Sequence, residues 1–166
     1  MTRDPLTTDE PIDSDVDLGQ PDQHKELVWS RGAILAAIAL GGGLGALARY
    51  GLALLWPTTG GGFPWATFIT NVLGCFLIGV LMVIISDIVT PHPLVRPFLG
   101  VGILGGFTTF STYANDTRAL LTPDAVATAF FYLFATLGCA LLATLLGVRL
   151  TRAACATRTR HPRSAV

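Results

Sequence analysis

Carboxylates are missing from the interior of every long apolar run in this sequence. Between Gly32 and Val148 only six charged side chains occur: Arg49, Asp87, Arg96, Asp116, Arg118 and Asp124. Proton-coupled pumps and cation exporters need an intramembrane carboxylate that can change charge, so a cation pathway is disfavoured. Charge is scarce overall, at 13% of residues against about a quarter in soluble domains, and most of it lies in the tails. Cysteine is scarce as well. Cys75, Cys139 and Cys155 show no metal-ligand spacing and read as small apolar filler. His24, His92 and His161 lie in the tails or a connector. No cluster therefore suggests a catalytic metal, the hydroxyls of Thr108, Thr109, Ser111 and Thr112 have no neighbouring base in sequence, and an enzyme is not expected. Residues 1–31 contain no apolar stretch, which argues against a signal peptide. They read as a disordered, acidic N-terminal tail rich in Asp, Pro and Thr.

What the sequence does have is hydrophobic length. Apolar residues make up 51% of the chain and the mean hydropathy is +0.58. A helix crossing the hydrocarbon core needs about 20 largely apolar residues, and four stretches qualify: residues 32–55, 65–86, 94–115 and 125–148. The connectors carry breakers, Pro57 with Gly60, Gly61 and Gly62, then Pro91, Pro93 and Pro97, then Pro123. Trp29, Trp56 and Trp65 stand where spans meet the interface, as amphipathic rings prefer. The expected fold is an all-α integral membrane protein with four transmembrane helices, the third broken near its middle. The expected channel-forming domain covers residues 32–150, followed by a basic tail over residues 151–166. A soluble bundle would have to hide four apolar helices with almost no polar outer faces.

An even number of spans places both tails and the second connector on one side. That side holds Lys25, Arg31, Arg96, Arg149, Arg152, Arg158, Arg160 and Arg163, while the other holds Arg118 and Arg49. The positive-inside rule then puts the tails in the cytoplasm.

Three segments carry polar chemistry within the apolar runs. In the first span, Gly41 and Gly45 form a GxxxG pair that suits close helix packing better than a ligand-cradling loop; no strand precedes it, so a dinucleotide site is not supported. Arg49 at the end of this span either snorkels to the headgroups, or it raises the potential at a pore mouth or ties helix ends together. In the second span, Thr67, Thr70, Asn71 and Gly74 share one small, polar helical face. The Asn71 amide is interhelical glue or an N–H donor offered to an anion, and spacing alone favours glue. The third span is densest, with Gly100, Gly102, Gly105 and Gly106 followed by Thr108, Thr109, Ser111 and Thr112, with Phe107, Phe110 and Tyr113 interleaved. Each glycine costs a helix about 1 kcal/mol relative to alanine. A break at this depth frees backbone groups that only protein or an aqueous cavity can satisfy, and such groups commonly coordinate ions. The pattern favours an ion-related site over a kinked, closely packed helix.

The run from Gly41 to Tyr50, the run Asn71-Val72-Leu73-Gly74 and the run from Gly105 to Thr112 closely resemble the signatures of the Fluc (CrcB) fluoride channels. The resemblance covers residues 32–150. It implies a passive, fluoride-selective channel of the cytoplasmic membrane that relieves fluoride toxicity, built as an antiparallel dimer with two narrow pores in the lipid bilayer. It implies a pore-lining amide at Asn71, an aromatic box at Phe110 and Tyr113, and hydroxyl donors at Thr112 and Ser111. It also implies a structural Na+ held by the carbonyls of Gly105 and Thr108, and an acidic residue near one pore end at Asp116. Arg49 joins Asp116 as a candidate for pore-mouth electrostatics. Fluoride, lipid and a second channel subunit are the expected partners, and no nucleic acid is.

Two features depart from the family pattern. Tyr113 stands where the second box aromatic is usually Phe, so its hydroxyl either donates a hydrogen bond or obstructs the path. The basic residues are also strongly one-sided, whereas single-gene members have weakly biased loops. The bias implies pairing with a separately encoded homologue of opposite orientation. A small antiparallel multidrug or cation transporter would need a carboxylate deep in its first span, and a non-transporting tetraspan subunit is the third reading.

Overall fold

The computed structural model describes residues 21–58, 61–88 and 92–158. Every regular element among them is helical: α1 (Pro21–Leu55), α2 (Trp65–Val83), a π-helical turn (Ile84–Ile88), a π-helical segment (Arg96–Leu104), α3 (Gly105–Phe107), α4 (Phe110–Leu120) and α5 (Val126–Arg158). Pro21 opens α1, where its missing N–H is no loss. The helix ends ahead of Pro57, which disfavours helical backbone in the residue before it, and Gly61 turns the connector with φ of +71°.

Three stretches are long and apolar enough to cross a membrane: Arg31–Leu55, Trp65–Asp87 and Val126–Ala156. Many of their leucines and phenylalanines face outward; Leu40 is 68% exposed and Leu142 66%. A water-soluble bundle would turn those faces inward, so the chain is a multi-pass helical membrane protein. At 35 and 33 residues, α1 and α5 reach about 50 Å at 1.5 Å per residue, well beyond a hydrocarbon core of about 30 Å.

Both helices intrude on the expected tails. Residues 21–31, read from sequence as disordered, belong to α1, and residues 151–158 continue α5. Low hydropathy marks where lipid contact ends and does not by itself end a helix. Residues 1–20 and 159–166 of the two expected tails lie outside the described residues.

Between residues 96 and 120 no single helix exists. The backbone is helical from Arg96 to Phe107, becomes extended at Thr108 (φ −72°, ψ 154°) and Thr109 (φ −148°, ψ 120°), and resumes at Phe110. The interruption therefore falls just after the glycines and not among them. The glycines serve packing. A Cβ on Gly45 would strike the carbonyl of Ile103, one on Gly106 the carbonyl of Gly42, and one on Gly102 the Cα of Gly41. Two GxxxG stripes thus lie backbone against backbone, and the 96–107 segment runs parallel to α1. Gly79 against Thr144 and Gly147 against Phe76 do the same for α2 and α5, which also run parallel.

At one end, Leu120, Ala125, Ala129 and Tyr132 form a buried cluster with Phe63, Phe68 and Tyr113 packed around it. At the other end, Arg152 pairs with Asp87 at 3.2 Å.

Candidate functional site

The break at Thr108–Thr109 strips helical partners from the backbone on both sides, and Asn71 replaces two of them. Its Nδ2 donates to the Thr109 carbonyl at 3.0 Å and its Oδ1 accepts from the Thr109 N–H at 2.8 Å, all in a buried setting. The side-chain amide thus imitates a neighbouring peptide group. Gly74, one turn on, lies against the Thr108 side chain, and a Cβ there would collide with it.

Thr109 is also the N-cap of α4. Its hydroxyl accepts from the Thr112 N–H at 3.1 Å and donates to Thr112 Oγ1 at 3.0 Å, satisfying one of the orphan donors of the new helix. On the other side of the break, Thr108 donates through both N–H and Oγ1 to the Leu104 carbonyl, at 3.0 and 2.9 Å. Arg49 donates from Nε to the Gly106 carbonyl at 3.2 Å. This bond ties α1 to the backbone just before the break.

These bonds divert particular donors. In a continuous helix the Gly105 carbonyl would accept from the N–H of Thr109, and the Thr108 carbonyl from the N–H of Thr112. Both N–H groups are turned elsewhere, to Asn71 and to the Thr109 hydroxyl. Hard cations take oxygen ligands of this kind, so the pair of carbonyls expected to hold Na+ has the right donor chemistry.

Two cavities adjoin the break. One, of about 240 Å³, is lined in part by Asn71, Cys75, Phe110, Tyr113 and Thr136. The second, also about 240 Å³, is lined in part by Arg49, Tyr50, Thr67, Thr70, Thr109 and Thr112. Thr108 and Thr109 belong to the wall of the first, and Thr109 is shared by both. The break thus separates an aromatic chamber from a hydroxyl-rich one.

Three of the residues nominated from sequence, Asn71, Phe110 and Tyr113, meet at the first chamber. Phe110 and Tyr113 stack obliquely, ring centroids 5.8 Å apart at 53°. Phe110 is 80% exposed, so this chain alone covers little of it. The Tyr113 hydroxyl donates to the Leu133 carbonyl at 2.7 Å, which ties it to α5. Thr112 lines the second chamber instead of the first, and Ser111 lines neither. Asp116 lies off both chambers and accepts from Thr67 Oγ1 at 2.7 Å and from the Tyr132 hydroxyl at 3.5 Å.

Sequence reasoning passed over Thr136. Its hydroxyl oxygen is buried without a hydrogen-bond partner among the described residues, and the residue is 4% exposed. The available signal was spacing: Tyr132, Thr136 and Ala140 recur every four positions on α5, and Thr136 and Ala140 both line the first chamber.

The family model for CrcB-like protein, Camphor Resistance (CrcB), matches residues 36–148. The chain is 54% identical over 117 residues to the fluoride-specific ion channel FluC 2 of Streptomyces avermitilis, covering 70% of this chain and 74% of that one. It is 56% identical over 120 residues to the fluoride-specific ion channel FluC 2 of Nocardia farcinica, covering 72% and 86%. A second Streptomyces avermitilis protein, the fluoride-specific ion channel FluC 3, is 49% identical over 130 residues, covering 78% and 64%. The matched region takes in the glycine stripes, Asn71 and the whole broken segment, and the chain belongs to the CrcB-like family.

Proposed function

We propose that this protein is a fluoride-specific ion channel that lets F− leave the cytoplasm passively down its electrochemical gradient. It is a conductor and not an enzyme. The observation that carries the reading is the meeting of Asn71, Phe110 and Tyr113, from two separate elements, around one chamber at a helix break. The relatives named as fluoride channels support it.

The chemistry of the break suits a small anion. The N-terminus of α4 begins at Phe110, and a helix N-terminus carries the positive end of the helix dipole. Aromatic ring edges are the positive part of the ring quadrupole, which gives Phe110 and Tyr113 a role beside it. Thr136, whose buried hydroxyl has no partner among the described residues, is another residue of the first chamber, and Thr109 and Thr112 are hydroxyl residues of the second. Such groups replace a hydration shell one donor at a time.

In this reading the residues from 96 to 120 cross the bilayer as one interrupted span, so the chain crosses four times with its tails in the cytoplasm. The carbonyls of Gly105 and Thr108 would hold a structural Na+, which adds fixed positive charge near the path. The exposure of Phe110 is what a residue completed by a second subunit would show. That subunit is arranged antiparallel and, given the one-sided basic residues, is a separately encoded homologue. The two distinct relatives in one Streptomyces species support this pairing.

Fluoride efflux from liposomes, read with a fluoride electrode, tests the proposal. Efflux with the protein present, alone or with the homologue, and with chloride largely retained, is the expected result. Liposomes that hold their fluoride in both cases would refute it.

A further inference from the structure

We propose that Arg49 is a positioning residue of the conduction site, acting through the hydrogen bond from its Nε to the Gly106 carbonyl and not through its charge. The proposal rests on the channel reading above. Arg49 lies inside the first apolar stretch, Arg31–Leu55. It has no carboxylate partner among the described residues: Asp87 pairs with Arg152, and Asp116 accepts from Thr67 and Tyr132. An arginine inside a span is costly, and those that persist pair with carboxylates or backbone carbonyls and mark ion pathways. Arg49 takes the Gly106 carbonyl, at 3.2 Å.

The bond stands where the helix has lost one. In a continuous helix the Gly106 carbonyl would accept from the N–H of Phe110. The extended backbone at Thr108 and Thr109 carries that N–H away, and the guanidinium takes its place. A freed carbonyl finds no water in the hydrocarbon region, so the substitute donor fixes where the 96–107 segment ends. The break is thereby clamped twice. Arg49 reaches from α1 and holds Gly106, before Thr108. Asn71 reaches from α2 and holds Thr109, after it. Only Phe107 and Thr108 lie between the two clamped residues, and Phe110 follows the second directly. The placement of Phe110 beside Asn71 in the first chamber therefore depends on both clamps. Gly45, one turn before Arg49, brings the guanidinium into reach, because its missing side chain lets α1 lie against the Ile103 carbonyl.

Side-chain length separates the bond from the charge. Glutamine carries its amide nitrogen at the same place along the side chain as the arginine Nε. Arg49→Gln thus keeps a donor for Gly106 and loses the charge. Arg49→Lys keeps the charge and moves the nitrogen one bond further out. Arg49→Met fills similar space with neither. Val83→Ala, at a buried position that lines neither chamber, serves as a purely destabilising control.

The test uses the full chain in liposomes, with the homologue if efflux requires it, for the parent and each variant. Ion-selective electrodes follow fluoride and chloride efflux, and hydrogen exchange read by mass spectrometry follows the backbone of residues 105–113. Arg49→Met should lose fluoride-over-chloride preference about tenfold, the scale set by one unpaired buried carbonyl, and its 105–113 backbone should exchange faster. Arg49→Gln should recover most of both, and Arg49→Lys should fall between. Val83→Ala should melt earlier with its preference intact. Preference kept in Arg49→Lys but lost in Arg49→Gln would show that the charge acts, and would overturn the proposal. Unchanged preference in Arg49→Met, or an equal loss in Val83→Ala, would overturn it too. If Arg49→Met does not fold, the other two decide: glutamine closer to the parent supports the proposal and lysine closer overturns it. A parent that passes no fluoride would overturn the channel reading instead. Hydrogen exchange would still judge the clamp, since parent-like exchange over residues 105–113 in Arg49→Met, or equally fast exchange in Arg49→Gln, would refute it.

Discussion

Asn71 meets the interrupted backbone as one peptide group meets another, and its replacement removes more than a side chain. In Asn71→Leu both the N–H and the carbonyl of Thr109 lose their partners, at about 1–3 kcal/mol for each buried group. Less folded protein, a lower melting temperature in detergent and no efflux are expected. Because structure and conduction fail together there, Thr136→Val separates them. Valine keeps the shape and removes a hydroxyl that has no partner among the described residues, so the melting temperature should hold or rise while efflux falls. A fall in both would make Thr136 a structural residue. Tyr113→Phe tests the departure from the family pattern. It removes the bond to the Leu133 carbonyl, worth about 1 kcal/mol, and keeps the ring edge. Efflux should stay close to the parent's with a slightly lower melting temperature, whereas a large gain in efflux would show that the hydroxyl obstructs the path. Asn71, Phe110 and Tyr113 stood out in sequence because an amide and a hydroxyl-aromatic run are conspicuous among apolar residues, although spacing alone favoured interhelical glue for Asn71, and its two bonds to the Thr109 backbone are of that kind. Thr136 did not, since a single hydroxyl in an apolar helix usually bonds to its own preceding turn, and only the packing of α5 on α2 shows where it lies.

At the scale of elements, the glycines of α1 and of the 96–107 segment decide how closely two helices approach. Gly45→Ala and Gly106→Ala each place a methyl group into backbone of the facing helix, and backbone cannot rotate aside as a side chain can. Both should collapse the yield of folded protein on size-exclusion chromatography. Gly51→Ala, whose added carbon meets nothing within 4 Å, should leave the yield unchanged; equal behaviour of all three would mean that the stripes do not set helix spacing. The same contrast explains what sequence could and could not reveal. Low helix propensity made the glycines look like the interruption, yet in a membrane the gain from close packing holds them helical. The interruption instead sits at Thr108 and Thr109, where the Asn71 amide, 38 positions away from Thr109 in sequence, supplies the partners an extended backbone needs. Nothing local to those two threonines distinguishes them from Ser111 and Thr112, so the position of the break depends on a long-range contact. The span ends were easier, because runs of apolar residues bounded by Pro57, Pro93 and Pro123 carry their own limits, although the continuation of α1 and α5 past the lipid does not show in hydropathy.

For the molecule as a whole, the direction of each helix bears on orientation. Arg152 with Asp87 joins the ends of α5 and α2 on one side, and the Phe63–Tyr132 contact, centroids 5.3 Å apart, joins their beginnings on the other. Arg96, Arg149 and Arg152 therefore gather at a single face. The exposed Arg152–Asp87 pair adds little stability, so its value lies in what those charges do during insertion, where lysine and arginine near span ends select the cytoplasmic side. A chain held in one orientation cannot supply both halves of an antiparallel pair. Expressed alone, it should place a C-terminal tag on the cytoplasmic face only and give little efflux, and co-expression with an oppositely biased homologue should restore efflux. Replacing Arg149 and Arg158 with glutamine, while leaving Arg152 in its pair, weakens the bias without touching either chamber. Labelling of the tag in intact cells should then detect both orientations, and efflux should appear without the homologue. If the parent chain already shows its tag on both faces, the one-sided charges do not govern its insertion, and the requirement for a second gene product disappears with them.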